Sequence, residues 1–116
     1  MYILYGIKNC DKVRAARKWL DAEKIEFKFE DIRDNPVKHS DWSNWIENLG
    51  LDLLINRRST TWKQLSDGDK QNLSNVNALK LLEQYPTLMK RPLLTSNGTP
   101  TMIGFSSKQY SEHFNG

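Results

Sequence analysis

The sequence predicts an α/β domain: a four-stranded mixed sheet with flanking helices, interrupted by an all-helical insertion. Three observations predict it. The first third of the chain reads strand, amphipathic helix, strand. Residues from about 35 to 88 carry only helical patterns. The remainder reads as a β-hairpin followed by a helix.

Tyr2 to Tyr5 (YILY) is a β-rich run that stops at Gly6, the pattern of a strand entering a tight turn. From Asp11 the period changes. Val13, Ala16 and Leu20 share one helical face, and Lys12, Arg14, Arg17 and Lys18 fill the other. This helix is expected to end near Lys24. Ile25 to Ile32 (IEFKFEDI) then alternates, with Ile25, Phe27 and Phe29 on one face of a half-buried strand. A crossover helix between two strands implies that they run parallel and that the crossover is right-handed.

Asn35-Pro36 is a helix start signal, and Ser40 is the alternative cap for a shorter helix through Leu49, stopped by Gly50. In either case Trp42, Trp45, Ile46 and Leu49 share a face. Shorter helical pieces follow at Thr61–Leu65, Asp67–Leu73 and Asn75–Gln84, the last with Val76, Leu79 and Leu82 at helical spacing. At Arg91-Pro92 the pattern returns to strand. Pro92–Thr95 is one strand, Asn97-Gly98 a hairpin turn, Thr101–Phe105 the returning strand, and Ser106 the cap of a helix over Ser107–Phe114. The order β-α-β, helices, β-β-α matches a thioredoxin-like (glutaredoxin-like) fold with a helical insertion. One domain, 1–116, is expected, its core about 1–34 and 90–116 and its insertion about 35–89.

Composition excludes several classes. A chain of 116 residues with 38% hydrophobic and 27% charged residues suits one folded domain, and four Trp exclude a disordered chain. No apolar run is long enough to span a membrane, and the N-terminus lacks the basic and apolar regions of a signal peptide. A cytoplasmic protein without membrane association is therefore expected. One cysteine excludes an intrachain disulfide and a Cys-cluster metal site. The net charge of +3 is weak evidence for nucleic-acid binding, no nucleic-acid motif is present, and direct contact with nucleic acid is not expected.

Chemistry concentrates at Cys10. It stands between the first strand and the first helix, where unpaired N–H groups and the helix dipole favour an anion. Cysteines at helix starts near cations ionise more readily than a free thiol. Lys8 precedes Cys10, Lys12 and Arg14 follow in the first turn, and Asp11 opposes them. The amides around Asn9–Asp11 can also hold an oxyanion or a carboxylate. Val13 occupies the second position of a CxxC motif, so any redox cycle needs an external thiol.

Other residues point to structure. Trp42, Trp45 and Trp62 suit core packing, and Thr60 or Thr61 can cap a helix at Trp62. His39 and His113 lack a partner at ligand spacing, so no metal site is expected.

The segments LYGIKNCDKVRAARKWL, NRRSTTWKQL, KRPLL and IGFS, in this order over about residues 2–114, resemble the ArsC/Spx family of thioredoxin-fold proteins, with the nearest likeness to its YffB branch. The resemblance implies a thiol-dependent reductase, with glutathione as co-substrate and no bound cofactor. Its thiol donor would be glutathione or a glutaredoxin-type protein, and its substrate a small oxyanion or a disulfide. It assigns Cys10 as nucleophile, Arg58 and Arg91 as anion-binding residues, and Pro92 as a cis proline lying against the cysteine. Lys8, Asn9 and Asp11 complete the expected anion-binding set. Two departures set the chain apart from the family's arsenate reductases. Phe105 stands where a third arginine is expected, and Ile7, Lys8 and Asn9 replace a His-containing loop. Losing one charged hydrogen bond removes about 1.5–3 kcal/mol of oxyanion binding. The Spx branch implies an alternative: a transcriptional regulator that contacts RNA polymerase, here without a CxxC switch.

Overall fold

In the computed structural model, which describes residues 1–116, strand β1 (Tyr2–Gly6) lies inside the sheet. Strand β2 (Phe27–Asp31) pairs with it in parallel, Tyr2 opposite Phe27 and Gly6 opposite Asp31. Strand β3 (Leu93–Ser96) pairs on its other side antiparallel, Tyr5 opposite Leu93, and β4 (Thr99–Ile103) pairs antiparallel with β3. The order β2-β1-β3-β4 is the four-stranded mixed sheet of a thioredoxin-like fold.

Helix α1 (Asp11–Ala22) connects the parallel strands and buries Val13, Ala16 and Leu20, the face its periodicity marks. Its end is set by backbone geometry. Lys24 takes a left-handed φ of 58°, its N–H donates to the Asp21 carbonyl at 3.1 Å, and the Ile25 N–H donates to the Leu20 carbonyl at 3.0 Å. This is a Schellman closure with lysine where glycine is usual. It draws Ile25 out of the sheet, so β2 starts two residues later than the alternation suggests and stops before Ile32. Ile25, Phe27 and Phe29 still pack on the core of Leu4, Ala16, Leu20, Leu94, Met102 and Tyr110.

The hairpin turns at Asn97 and Gly98, whose φ values of 51° and 86° are both left-handed, as a two-residue turn of this hand requires. Pairing resumes at once, with Ser96 opposite Thr99, so β4 occupies Thr99–Ile103 rather than Thr101–Phe105. Phe105 lies outside the strand, its ring 4.7 Å from that of Tyr110. Helix α7 (Ser107–Asn115) begins as expected: the Ser106 hydroxyl accepts the Gln109 N–H at 3.1 Å.

The chain divides into two compact units, residues 1–31 with 91–116, and residues 32–90. The second holds helices α2 (His39–Leu49), α3 (Leu51–Leu54), α4 (Thr60–Gln64), α5 (Asp67–Gln71) and α6 (Asn75–Gln84), then a 3₁₀ turn at Pro86–Leu88. Neither expected start signal opens α2. Its N-cap is Lys38, with Asn35-Pro36 outside the helix and Ser40 within its first turn. Gly50, at φ 80°, does end it. Trp42, Trp45 and Ile46 are buried, and α2 packs with α6. That helix buries Ala78, Leu81 and Leu82, while Val76 is 65% exposed, so its inward face is rotated from the one expected. Ser59, not Thr60 or Thr61, caps α4 by accepting the Trp62 N–H at 3.1 Å, and the Thr61 hydroxyl meets that of Thr87 at 2.7 Å. The unit is not wholly helical: Ile55 and Met89 form an antiparallel bridge, flanked by hydrogen bonds from Asn56 to Leu88 and from Lys90 to Leu54.

Tyr110 is fully buried and its hydroxyl has no hydrogen-bond partner. Burial raises its phenol above the ordinary value of 10.0, because desolvation disfavours the phenolate. The unfolded chain therefore releases this proton first, and the contribution to stability, complete below about pH 10, is lost as pH rises further. Tyr110→Phe is expected to be as stable as the wild type at neutral pH or more stable, by up to about 1 kcal/mol. It should also lose less stability above about pH 10. Denaturant unfolding of both proteins at the two pH values measures this.

Candidate functional site at the end of the first strand

The corner between β1 and α1 is shaped by a close approach. A Cβ on Gly6 would lie 2.7 Å from Val13 Cγ2, nearer than real contacts allow. Glycine thus lets the first turn of α1 settle on the end of β1, and residues 7–10 must span a short, defined gap. Ile7 turns inward and is buried, while Lys8 and Asn9 are exposed. The Lys8 N–H donates to Asp31 Oδ2 at 3.1 Å. Arg14 folds back over the same loop: its guanidinium donates to the Lys8 carbonyl at 3.4 Å and pairs with Asp11. Asp11 thereby answers the charge of Arg14 within the first turn, and Lys12 adds a further exposed cation.

Cys10 is half-buried and occupies the N-cap of α1, with extended backbone angles of φ −133° and ψ 123°. Its carbonyl accepts the Arg14 N–H at 2.9 Å, the first bond of the helix. Its side chain makes no capping hydrogen bond. Helices α4, α5, α6 and α7 are treated differently. Ser59, Ser66, Ser74 and Ser106 each accept an N–H of the first turn there. The N-caps of α2 and α3, Lys38 and Gly50, likewise make no side-chain capping bond, but only α1 puts sulfur in that position, so its first-turn amides lack a capping oxygen beside a thiol.

The sheet register brings the other predicted residues of this unit to the same edge. Leu93 lies opposite Tyr5, so the Arg91–Pro92 segment continues alongside Gly6 and Ile7. The Arg91–Pro92 peptide is cis, Pro92 is buried, and its carbonyl accepts the Gly104 N–H at 2.8 Å. Arg91 is half-buried, with its Nε shielded from solvent.

Arg58 belongs to the other unit. It is exposed there, and its backbone N–H donates to Asn56 Oδ1 at 3.0 Å. The adjacent Arg57 is committed locally, 3.3 Å from Asp52 and 5.3 Å from the ring centre of Trp62. Trp62 is half-buried, in contrast to Trp42 and Trp45. His39 does meet a carboxylate, Glu83 at 2.9 Å, a pairing that sequence spacing does not reveal. No group of three or more His, Cys, Asp or Glu residues could hold a metal ion, and no helix is long and apolar enough to cross a membrane.

Asp31 is absent from the expected set. It is a buried acid at the end of β2, only 7% exposed. The available signal was its parity with Phe27 and Phe29: an acid on the apolar face of an alternating strand needs a partner.

A family model described as the ArsC family matches residues 5–113. A solved structure described as a YFFB protein is 32% identical, with coverage of 97% of each chain and a TM-score of 0.89. The crystal structure of a possible arsenate reductase from Streptococcus mutans is also 32% identical, with coverage of 98% of each chain and a TM-score of 0.84. The global transcriptional regulator Spx of Streptococcus pneumoniae is 30% identical over 94% of this chain and 82% of its own length.

The unused cap of α1 has a measurable consequence. Cys10→Asp supplies an accepting oxygen and a fixed negative charge to the same amides. It is expected to raise stability by roughly 1 kcal/mol in denaturant unfolding at pH 7.

Proposed function

The chain belongs to the ArsC family, and from that premise we propose that it is a thiol-dependent reductase with Cys10 as its single nucleophile and glutathione as its co-substrate. The observation that carries this reading is the sulfur at the N-cap of α1. It stands beside amides that no capping oxygen takes, at the sheet edge that also carries Arg91 and Pro92.

The chemistry follows from the thiol count. The Cys10 thiolate attacks the glutathione sulfur of a mixed disulfide. The S–S bond breaks, the substrate thiol leaves, and Cys10 is held as a glutathione disulfide. Val13 stands where a second cysteine would resolve this adduct within the chain. A second glutathione therefore attacks it, which restores Cys10 and releases oxidised glutathione. An oxyanion substrate would meet the same sulfur at its central atom, with Lys8, the amides around Asn9 and Asp11, and Arg91 as anion-binding groups; for Arg58 that role is only what the family resemblance implies. A charged hydrogen bond to such an anion contributes about 1.5–3 kcal/mol. Phe105, set against Tyr110, supplies none. That deficit favours a disulfide over arsenate as the substrate.

The identity to the Spx regulator favours a second reading, a regulator docking on RNA polymerase. The two separate on one experiment. Intact-mass spectrometry after exposure to oxidised glutathione is expected to show one adduct on the wild type and none on Cys10→Ser. Reduced glutathione should reverse it. A wild type that stays unmodified, while both proteins retain the polymerase α subunit in a pull-down, would favour the regulator.

A further inference from the structure

We propose that Asp31 is the positioning residue for Cys10, acting through the backbone of Lys8. The inference rests on the reading of Cys10 as a nucleophile and adds what holds it in place.

Asp31 is the last residue of β2, paired across the sheet with Gly6, the last residue of β1. Its carboxylate is buried and accepts the Lys8 N–H at 3.1 Å, just where the chain leaves β1. A buried carboxyl oxygen taken out of water requires such a donor. Lys8 is held from the other side by Arg14, which reaches its carbonyl. The two holds differ. Arg14 is exposed and its contact is long, whereas Asp31 is buried and fixed by the sheet. Asn9 alone separates Lys8 from Cys10. The direction of the Lys8 peptide therefore sets the path by which the chain enters the N-cap of α1. With Gly6 and Val13 in contact across the gap, Asp31 fixes the path of the chain between them. Releasing it lets the loop pivot and takes the sulfur away from the first-turn amides.

Three measurements test this. Asp31→Ala removes the acceptor, whereas Asp31→Asn keeps one oxygen of the same reach for the Lys8 N–H and turns the other into an amide donor. With all proteins held well below their unfolding temperatures, Asp31→Ala is expected to form the Cys10–glutathione adduct roughly tenfold more slowly or worse, as small misplacements of reacting atoms cause. Asp31→Asn should recover most of the rate. In amide NMR spectra the Lys8 proton should exchange slowly in the wild type and in Asp31→Asn, and should shift upfield and exchange quickly in Asp31→Ala. A wild-type rate in Asp31→Ala overturns the proposal, as does an Asp31→Asn variant as slow as Asp31→Ala. Fast exchange of the Lys8 amide in the wild type overturns it without any variant, even if Asp31→Ala does not fold. A wild type with a protected Lys8 amide but no adduct overturns instead the nucleophile reading on which the proposal stands.

Discussion

The contact between Gly6 and Val13 is the constraint on which the rest depends. Parallel pairing of β1 and β2 requires a crossover, and α1 supplies it. The helix can start close to the strand only because position 6 carries no Cβ. That approach leaves four residues to turn the chain. It buries Ile7, exposes Lys8 and Asn9, and delivers Cys10 to the helix start. A longer or looser turn would leave the same cysteine on a wandering loop, with no fixed relation to the amides of α1.

The treatment of helix starts shows what this corner forgoes. Four other helices open on a serine whose hydroxyl takes a first-turn N–H, an arrangement worth about 1 kcal/mol each. Helix α1, the longest, opens on a thiol that takes none. A stability-driven choice would place oxygen there. Sulfur with open amides around it suits reaction with an electrophile or with the anionic part of a substrate. The cis Arg91–Pro92 segment leading into β3 on one side and the buried Asp31 at the end of β2 on the other flank the same end of β1.

Much of this was legible in the sequence, for physical reasons. The period-3.6 pattern of Val13, Ala16 and Leu20, the alternation through Phe27 and Phe29, and Asn97-Gly98 are local signals, and the structure follows them. Cys10 was legible because a strand-to-helix junction can be read from the change of period alone. What was missed depends on contacts distant in sequence or on backbone geometry without a residue signature. Lys24 ends α1 in a conformation usually left to glycine, which shortens β2. Leu51–Leu54 is too short to show a period. Val76 has helical spacing, yet α6 turns it to solvent because its inward face follows Ala78 and Leu81. The Thr61–Thr87 and His39–Glu83 pairs span 26 and 44 residues. Asp31 finds its partner 23 residues back along the chain.

The central claim is that the fold, and not the intrinsic reactivity of a thiol, makes Cys10 a nucleophile. The most direct measurement compares one sulfur in two states. The rate of Cys10 alkylation by iodoacetamide at pH 7 is followed in the native protein and in the same protein unfolded in urea. The account predicts faster reaction in the native state, even though folding half-buries the residue. A native rate equal to or below the unfolded one would contradict it.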